Sequence, residues 1–138
     1  MRFVDTNVLL YAVSRAPSER LKAEAALSIL DGSDLALSVQ VLQEFYVQAT
    51  RPGKKAPLTH EQASLLIESW LRFPVQENSV QLMRAALSAC RTFHISYWDA
   101  MILESARALG CGVVLSEDLN HDQNYGGIRV VNPFIRIK

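Results

Sequence analysis

The run Val113-Val114-Leu115-Ser116 constrains this chain most. Three consecutive apolar residues, two of them β-branched, follow Gly110-Cys111-Gly112 and precede a polar stretch. A short run of this kind describes a buried strand, covered on both faces. Comparable runs stand at Phe3-Val4-Asp5, Leu35-Ala36-Leu37-Ser38 and Ile128-Arg129-Val130-Val131, and Pro74-Val75-Gln76 forms a further short candidate. The segments between them have helical periodicity. Strands separated by helices give a parallel sheet with helices packed on it, the α/β class. A length of 138 residues suits one domain spanning 1–138.

Helix starts are marked by small polar residues. Thr6 or Asn7 is expected to cap a helix over Val8 to about Ser14, and Ser18 a second one with Leu21, Ala25, Leu27 and Leu30 on its apolar face. Asp31-Gly32-Ser33 stops it. A helix over Val39 to Thr50 follows, then the basic, breaker-rich loop Pro52-Gly53-Lys54-Lys55-Ala56-Pro57. Thr59 and Gln62 form a capping box opening a helix to about Phe73. Ser79 opens another to about Thr92, and Ser96 to Leu109 is closed by Gly110. The segment from Glu117 to Gly127 reads as a polar loop. Leu65, Leu66, Trp70 and Phe73 serve either as core or as a contact with a second copy.

Fourteen basic residues balance fourteen acidic ones, so no global charge marks a nucleic-acid binder. A local basic patch and bound cations remain compatible with an RNA substrate. No apolar run reaches the ~20 residues that span a bilayer, and Met1-Arg2-Phe3-Val4-Asp5 lacks a signal-peptide pattern, so the expected location is the cytoplasm. Cys90 and Cys111 form no disulfide framework and have no neighbouring histidine for zinc, so they are expected as reduced, buried thiols.

Ligands of parallel sheets gather outside the carboxyl ends of the strands. Asp5 ends the first strand and Asp118 lies just past the Val113–Ser116 strand, so both carboxylates are expected at one sheet edge. Asp99 stands one turn into a helix, where it also fits a capping box with Ser96. Glu44 sits in mid-helix beside Val41 and Val47. Singly, each acid has a structural explanation as a cap, a turn residue or a solvated rim. Together, acids placed repeatedly beside apolar residues are costly unless something compensates them.

The same residues carry a resemblance. Asp5-Thr6-Asn7-Val8-Leu9-Leu10-Tyr11 resembles the opening motif of PIN domains, and the helix bearing Glu44 their second acidic motif. Tyr97-Trp98-Asp99-Ala100 is similar to the third, Ser116-Glu117-Asp118-Leu119 to the serine/threonine-x-aspartate motif after the fourth strand, and Tyr125 to Phe134 to the tail of VapC-type toxins. Order and intervals agree over nearly the whole chain. The resemblance implies a three-layer α/β/α sandwich with a central parallel sheet, Mg²⁺ or substituting Mn²⁺ at the acidic cluster, and endoribonuclease activity. It also implies a homodimer and a cognate antitoxin. Its acids carry over to Asp5, Glu44, Asp99 and Asp118, with Thr6, Asn7 and Ser116 in support.

Carboxylates without clustered Cys or His suit a hard cation that keeps several waters. Asp5, Asp99 and Asp118 are the expected ligands, direct or through water, with Glu44 holding a second ion or orienting water. One ion or two are both compatible with this set. Arg51, Lys54, Lys55 and, more weakly, Arg91 and His94 are candidates for gripping the RNA backbone. Glu117, facing away from Asp118 in an extended segment, and Asp122, in a solvated loop, are not expected to contribute. The alternatives are a PIN nuclease of RNA processing rather than a toxin, and a PIN-like binding module without turnover. A phosphohydrolase of the haloacid dehalogenase type wants an aspartate where Asn7 stands, and a receiver domain wants paired acids at Asp5.

Overall fold

A computed structural model of the chain describes residues 1–137. In chain order the elements are β1 (Arg2–Val4), α1 (Thr6–Ala12), a 3₁₀ turn (Pro17–Glu19), α2 (Arg20–Leu30), β2 (Leu35–Ser38), α3 (Val39–Ala49), α4 (His60–Trp70), β3 (Val75–Gln76), α5 (Val80–Phe93), α6 (Tyr97–Ala108), β4 (Val113–Leu115), β5 (Asn124–Tyr125) and β6 (Ile128–Val131). The six strands lie in the order β3-β2-β1-β4-β6-β5. All neighbours are parallel except β5, which pairs antiparallel with β6. This is the expected α/β arrangement, a mostly parallel central sheet flanked by helices.

β1 is the hub. It pairs with β2 through Phe3 and Ala36, and with β4 through Phe3 and Val114. Phe3, Val4, Leu35, Leu37, Val114 and Val130 are fully buried, which explains why these strands show no polar alternation. α6 packs along the sheet against β2, β3, β4 and β6, with α5 against α6. α1 contacts α2 and α3, and α3 contacts α4. Leu82, Ala86, Ala89, Ala100 and Met101 fill a small second cluster between α5 and α6.

Several starts are as expected. Ser38 accepts from Val41 N at 3.2 Å, Ser79 from Leu82 N at 3.0 Å, and Ser96 from Asp99 N at 3.0 Å. The Thr59–Gln62 capping box is complete in both directions. Three expectations are corrected. The cap of α1 is Asp5 and not Thr6 or Asn7, so the helix begins earlier. Ser18 lies inside the 3₁₀ turn set by Pro17 and caps nothing, and Leu21 and Leu27 of α2 are exposed while Ala26 and Leu30 are buried. Trp70 and Phe73 belong to the core, with the Trp70 ring edge-on to Phe45 at 4.8 Å, so they are no contact surface. Leu66 packs against that core and Leu65 is exposed. Both cysteines are free thiols, Cys111 buried and Cys90 partly so. No helix among the described residues is long and apolar enough to cross a membrane.

Candidate active site

The carboxyl edge of the sheet holds the acids. Asp5 leaves β1 with its N–H donating to Leu115 O of β4 at 3.0 Å, which ties the ends of the two central strands together. Its side chain is almost wholly buried, at 5% exposure. One carboxylate oxygen accepts from Thr6 N at 2.7 Å and the other from Ser116 Oγ at 2.7 Å. Ser116 Oγ also accepts from Asp118 N at 3.1 Å, so a single hydroxyl links the first strand to the loop after the fourth.

Two further acids are joined to this network. Thr6 Oγ1 donates to Glu44 Oε2 at 2.9 Å, and Gln40 Nε2 donates to Glu44 Oε1 at 3.0 Å. Asn7 Nδ2 donates to Asp118 Oδ2 at 3.3 Å while Asn7 Oδ1 accepts from Glu117 N at 3.4 Å. Asp99 stands in the first turn of α6, half-buried, held through its backbone by Ser96. Thr6, Asn7 and Ser116 each hydrogen-bond one or more of these acids.

Electrostatics brings in the fourth acid. The Asp5 carboxyl is pushed up from 3.8 to about 6, chiefly by burial, against the hydrogen bonds from Ser116 and Thr6, with the charges of Asp118 and Glu44 adding to the rise. Asp99 is also raised, first by burial, with Asp118 and Glu44 contributing again. Asp118 and Glu44 thus act on both of the others, and the four carboxylates share one electrostatic neighbourhood.

Some acids elsewhere in the chain are paired with cations. Glu117 is bound by Lys22 Nζ at 2.8 Å and Tyr11 OH at 2.7 Å, Glu104 by Arg107 Nε at 3.2 Å, and Asp34 by Arg2 Nε at 2.9 Å. Asp5, Glu44, Asp99 and Asp118 have no ion pair among the described residues. Neutral donors fix a carboxylate without offsetting its charge, so this edge fits a cation. No group of three acids, histidines or cysteines among the described residues is placed to hold one ion directly. An ion here would be held by one or two carboxylates and by its own waters, which is the habit of Mg²⁺.

The remaining candidates fall at the margins. Glu117 faces Lys22 and Tyr11, as the extended loop requires, and Asp122 is exposed, pairing with His121 at 3.3 Å. Lys54 and Lys55 rim a cavity of about 500 Å³ that begins at Asn7 and is floored by Leu10, Ala49 and Leu58. Arg51 is exposed in the same loop, and Arg91 is exposed in the last turn of α5. His94, in a left-handed conformation after α5, is a helix-ending residue. Sequence reading missed Gln40, Tyr11 and Lys22. Gln40 was findable, since it precedes Glu44 by four residues and so shares its helix face. Tyr11 and Lys22 meet Glu117 only through the tertiary fold.

Comparison with known proteins agrees with this geometry. The family model described as PIN domain matches residues 2–126. Among solved structures, a toxin–antitoxin complex from Klebsiella pneumoniae superposes with a TM-score of 0.69 at 18% identity, covering 96% of this chain and 98% of that one. FitAcB from Neisseria gonorrhoeae gives 0.63 at 18% identity, with 98% and 99% covered. VapC20 of Mycobacterium tuberculosis, titled a sarcin–ricin loop cleaving toxin, gives 0.64 at 16% identity, with 86% and 92% covered. No curated protein matches the sequence. A sheet of this order, acids at its carboxyl edge and a family model spanning most of the sequence lead to one conclusion: the chain belongs to the PIN domain family.

Proposed function

We propose that this protein is a Mg²⁺-dependent endoribonuclease and the toxin of a toxin–antitoxin pair. One observation carries the reading. The carboxylates of Asp5, Glu44 and Asp118 accept hydrogen bonds from neutral donors alone, and the charges of Glu44 and Asp118 act on both Asp5 and Asp99. No Lys, Arg or His side chain among the described residues pairs with these carboxylates, and a phosphodiester adds further negative charge. A divalent ion bound there would lower the pKa of a water and stabilise charge developing on the phosphate. Asp5, Asp99 and Asp118 would hold it, one or two of them directly and the rest through the ion's own waters, with Mn²⁺ serving in place of Mg²⁺.

The chain's own residues do the rest. Ser116 and Thr6 orient the buried Asp5 carboxylate, and Asn7 orients Asp118. Glu44, held at both oxygens, would help bind the ion through its waters and orient the attacking one. Lys54 and Lys55, which line the same cavity as Asn7, and Arg51 in the same loop would hold the flanking phosphates. Arg91, exposed in the last turn of α5, would be a weaker RNA contact.

The toxin reading draws on the solved relatives, one a toxin–antitoxin complex and another a sarcin–ricin loop cleaving toxin. A cognate antitoxin is the proposed partner and the cytoplasm the proposed site of action. A homodimer completes the proposal. Its surface is the exposed stripe Val80, Met83 and Leu87 of α5, one helical face left without cover in the single chain.

The test is incubation of the purified protein with total RNA in Mg²⁺, in Mn²⁺ and in EDTA, followed by mapping of new ends. Discrete cuts with either metal and none in chelator are expected. Cleavage at full rate in excess chelator refutes the metal mechanism, and an absence of new ends refutes the nuclease. Light scattering at micromolar concentration reads the dimer, and a strict monomer removes it.

A further inference from the structure

Gln40 is a polar residue in a place that gives it little in return. It lies in the first turn of α3 at 5% exposure. Its Nε2 donates to Glu44 Oε1 at 3.0 Å, while its Oε1 is buried and has no partner. A buried acceptor without a donor is destabilising, and native chains rarely keep one without a reason. Turning the amide over would set its oxygen against the Glu44 oxygen, acceptor against acceptor, so Glu44 dictates which end faces it. The other Glu44 oxygen is already taken by Thr6 Oγ1 at 2.9 Å. Glu44 is therefore gripped from two elements by two neutral donors, and the oxygen left over on Gln40 stands one amide group away from the acidic site.

We propose that Gln40 is a positioning residue of this site: its N–H fixes the orientation of Glu44 without cancelling its charge. The inference rests on the proposed cation site and adds a residue to it. A leucine or methionine at position 40 would fill the same space with no unsatisfied atom, so the amide is retained at a cost in stability that the fold alone does not require. Residues that orient metal-binding groups in this way typically change ion affinity by about 10–100-fold when removed.

The experiment is a double-mutant cycle read by Mn²⁺ titration calorimetry and by melting in EDTA, with RNA cleavage alongside. Gln40→Met keeps length and removes both amide groups. It is expected to melt no lower than the parent in EDTA and to bind Mn²⁺ about 10-fold or more weakly. In a Glu44→Gln background the same substitution should change affinity little, because the orientation it supports no longer matters. Thr6→Val removes the opposite grip and should give the same loss and the same non-additivity. Unchanged Mn²⁺ affinity in Gln40→Met, or losses that simply add with Glu44→Gln, overturns the proposal. A Gln40→Met protein that fails to fold shifts the decision to Thr6→Val, where unchanged Mn²⁺ binding overturns it equally. Failure of the cation site itself looks different: the parent then binds no Mn²⁺, and Glu44→Gln has nothing to weaken.

Discussion

Replacing Asp5 by asparagine separates a catalytic acid from a structural one. In the folded chain this carboxyl is raised from 3.8 to about 6, with burial as the first cause. Between those two values the native state holds more protons than the unfolded chain, so stability falls as pH rises through that window and is flat above it. The full penalty of the ionised group is about 3 kcal/mol at neutral pH, from the size of the shift. Asparagine removes the penalty. It also meets two donors, Thr6 N–H and the Ser116 hydroxyl, with one acceptor and one NH₂, and Ser116 Oγ already accepts from Asp118 N. That mismatch costs about 1 kcal/mol. The variant should therefore be more stable by about 2 kcal/mol at pH 8 in EDTA, or roughly 6 °C in Tm for a domain of this size. Near pH 4 the advantage should vanish or reverse. Added Mg²⁺ should raise the melting temperature of the parent more than that of the variant, by mass action. Melts of both proteins from pH 4 to pH 8, with and without Mg²⁺, test each part. A variant that melts lower at every pH, with a gap that does not change between pH 4 and pH 7, refutes the reasoning and makes Asp5 a structural acid.

Other substitutions probe the supports of the site. Lys22→Met leaves Glu117 with Tyr11 alone. Burial pushes this carboxyl up, but the bonds from Lys22 and Tyr11 outweigh it and hold it below 4.5, so the loss should show at neutral pH and shrink as pH falls below that value in a melting series. Ser38→Ala removes the buried cap of α3, the helix that carries Glu44, and should cost about 1–2 kcal/mol in urea unfolding with a fall in cleavage. Ser105→Ala goes the other way: its hydroxyl is fully buried with no partner, so the variant should melt at or above the parent temperature with cleavage unchanged.

The parts of the fold that were legible in the sequence are those with local causes. Ser79 and Ser96 announce α5 and α6 because an N-cap acts within three residues, and the apolar run at Val113 announces a strand because β4 is buried on both faces. β5 was hidden. Its two residues, Asn124 and Tyr125, sit in a polar stretch, and only the tight turn at Gly126 (φ 60°) and Gly127 (φ 100°) returns the chain to pair with β6. That Gly-Gly pair was a readable hairpin signal. At the site, Asp5 and Asp118 were legible from the sheet-edge rule, whereas Asp99 and Glu44 needed the family resemblance, since a first-turn acid and a mid-helix glutamate each have ordinary uses. The grip of Gln40 and Thr6 on Glu44 and that of Lys22 and Tyr11 on Glu117 depend on side-chain packing, which periodicity does not encode.

The position of β1 also bears on timing. It is synthesised first yet lies at the centre of the sheet, and one of its two neighbours is β4, more than a hundred residues later. Contacts of such separation close slowly, because the intervening loop entropy must be lost before they form. Asp5 meets Ser116 only through that pairing, so a nascent chain stopped before β4 has at most three of the four acids and lacks the Asp5–Ser116–Asp118 link. The carboxylate network at the sheet edge is therefore assembled late, by the closing of a single strand pair.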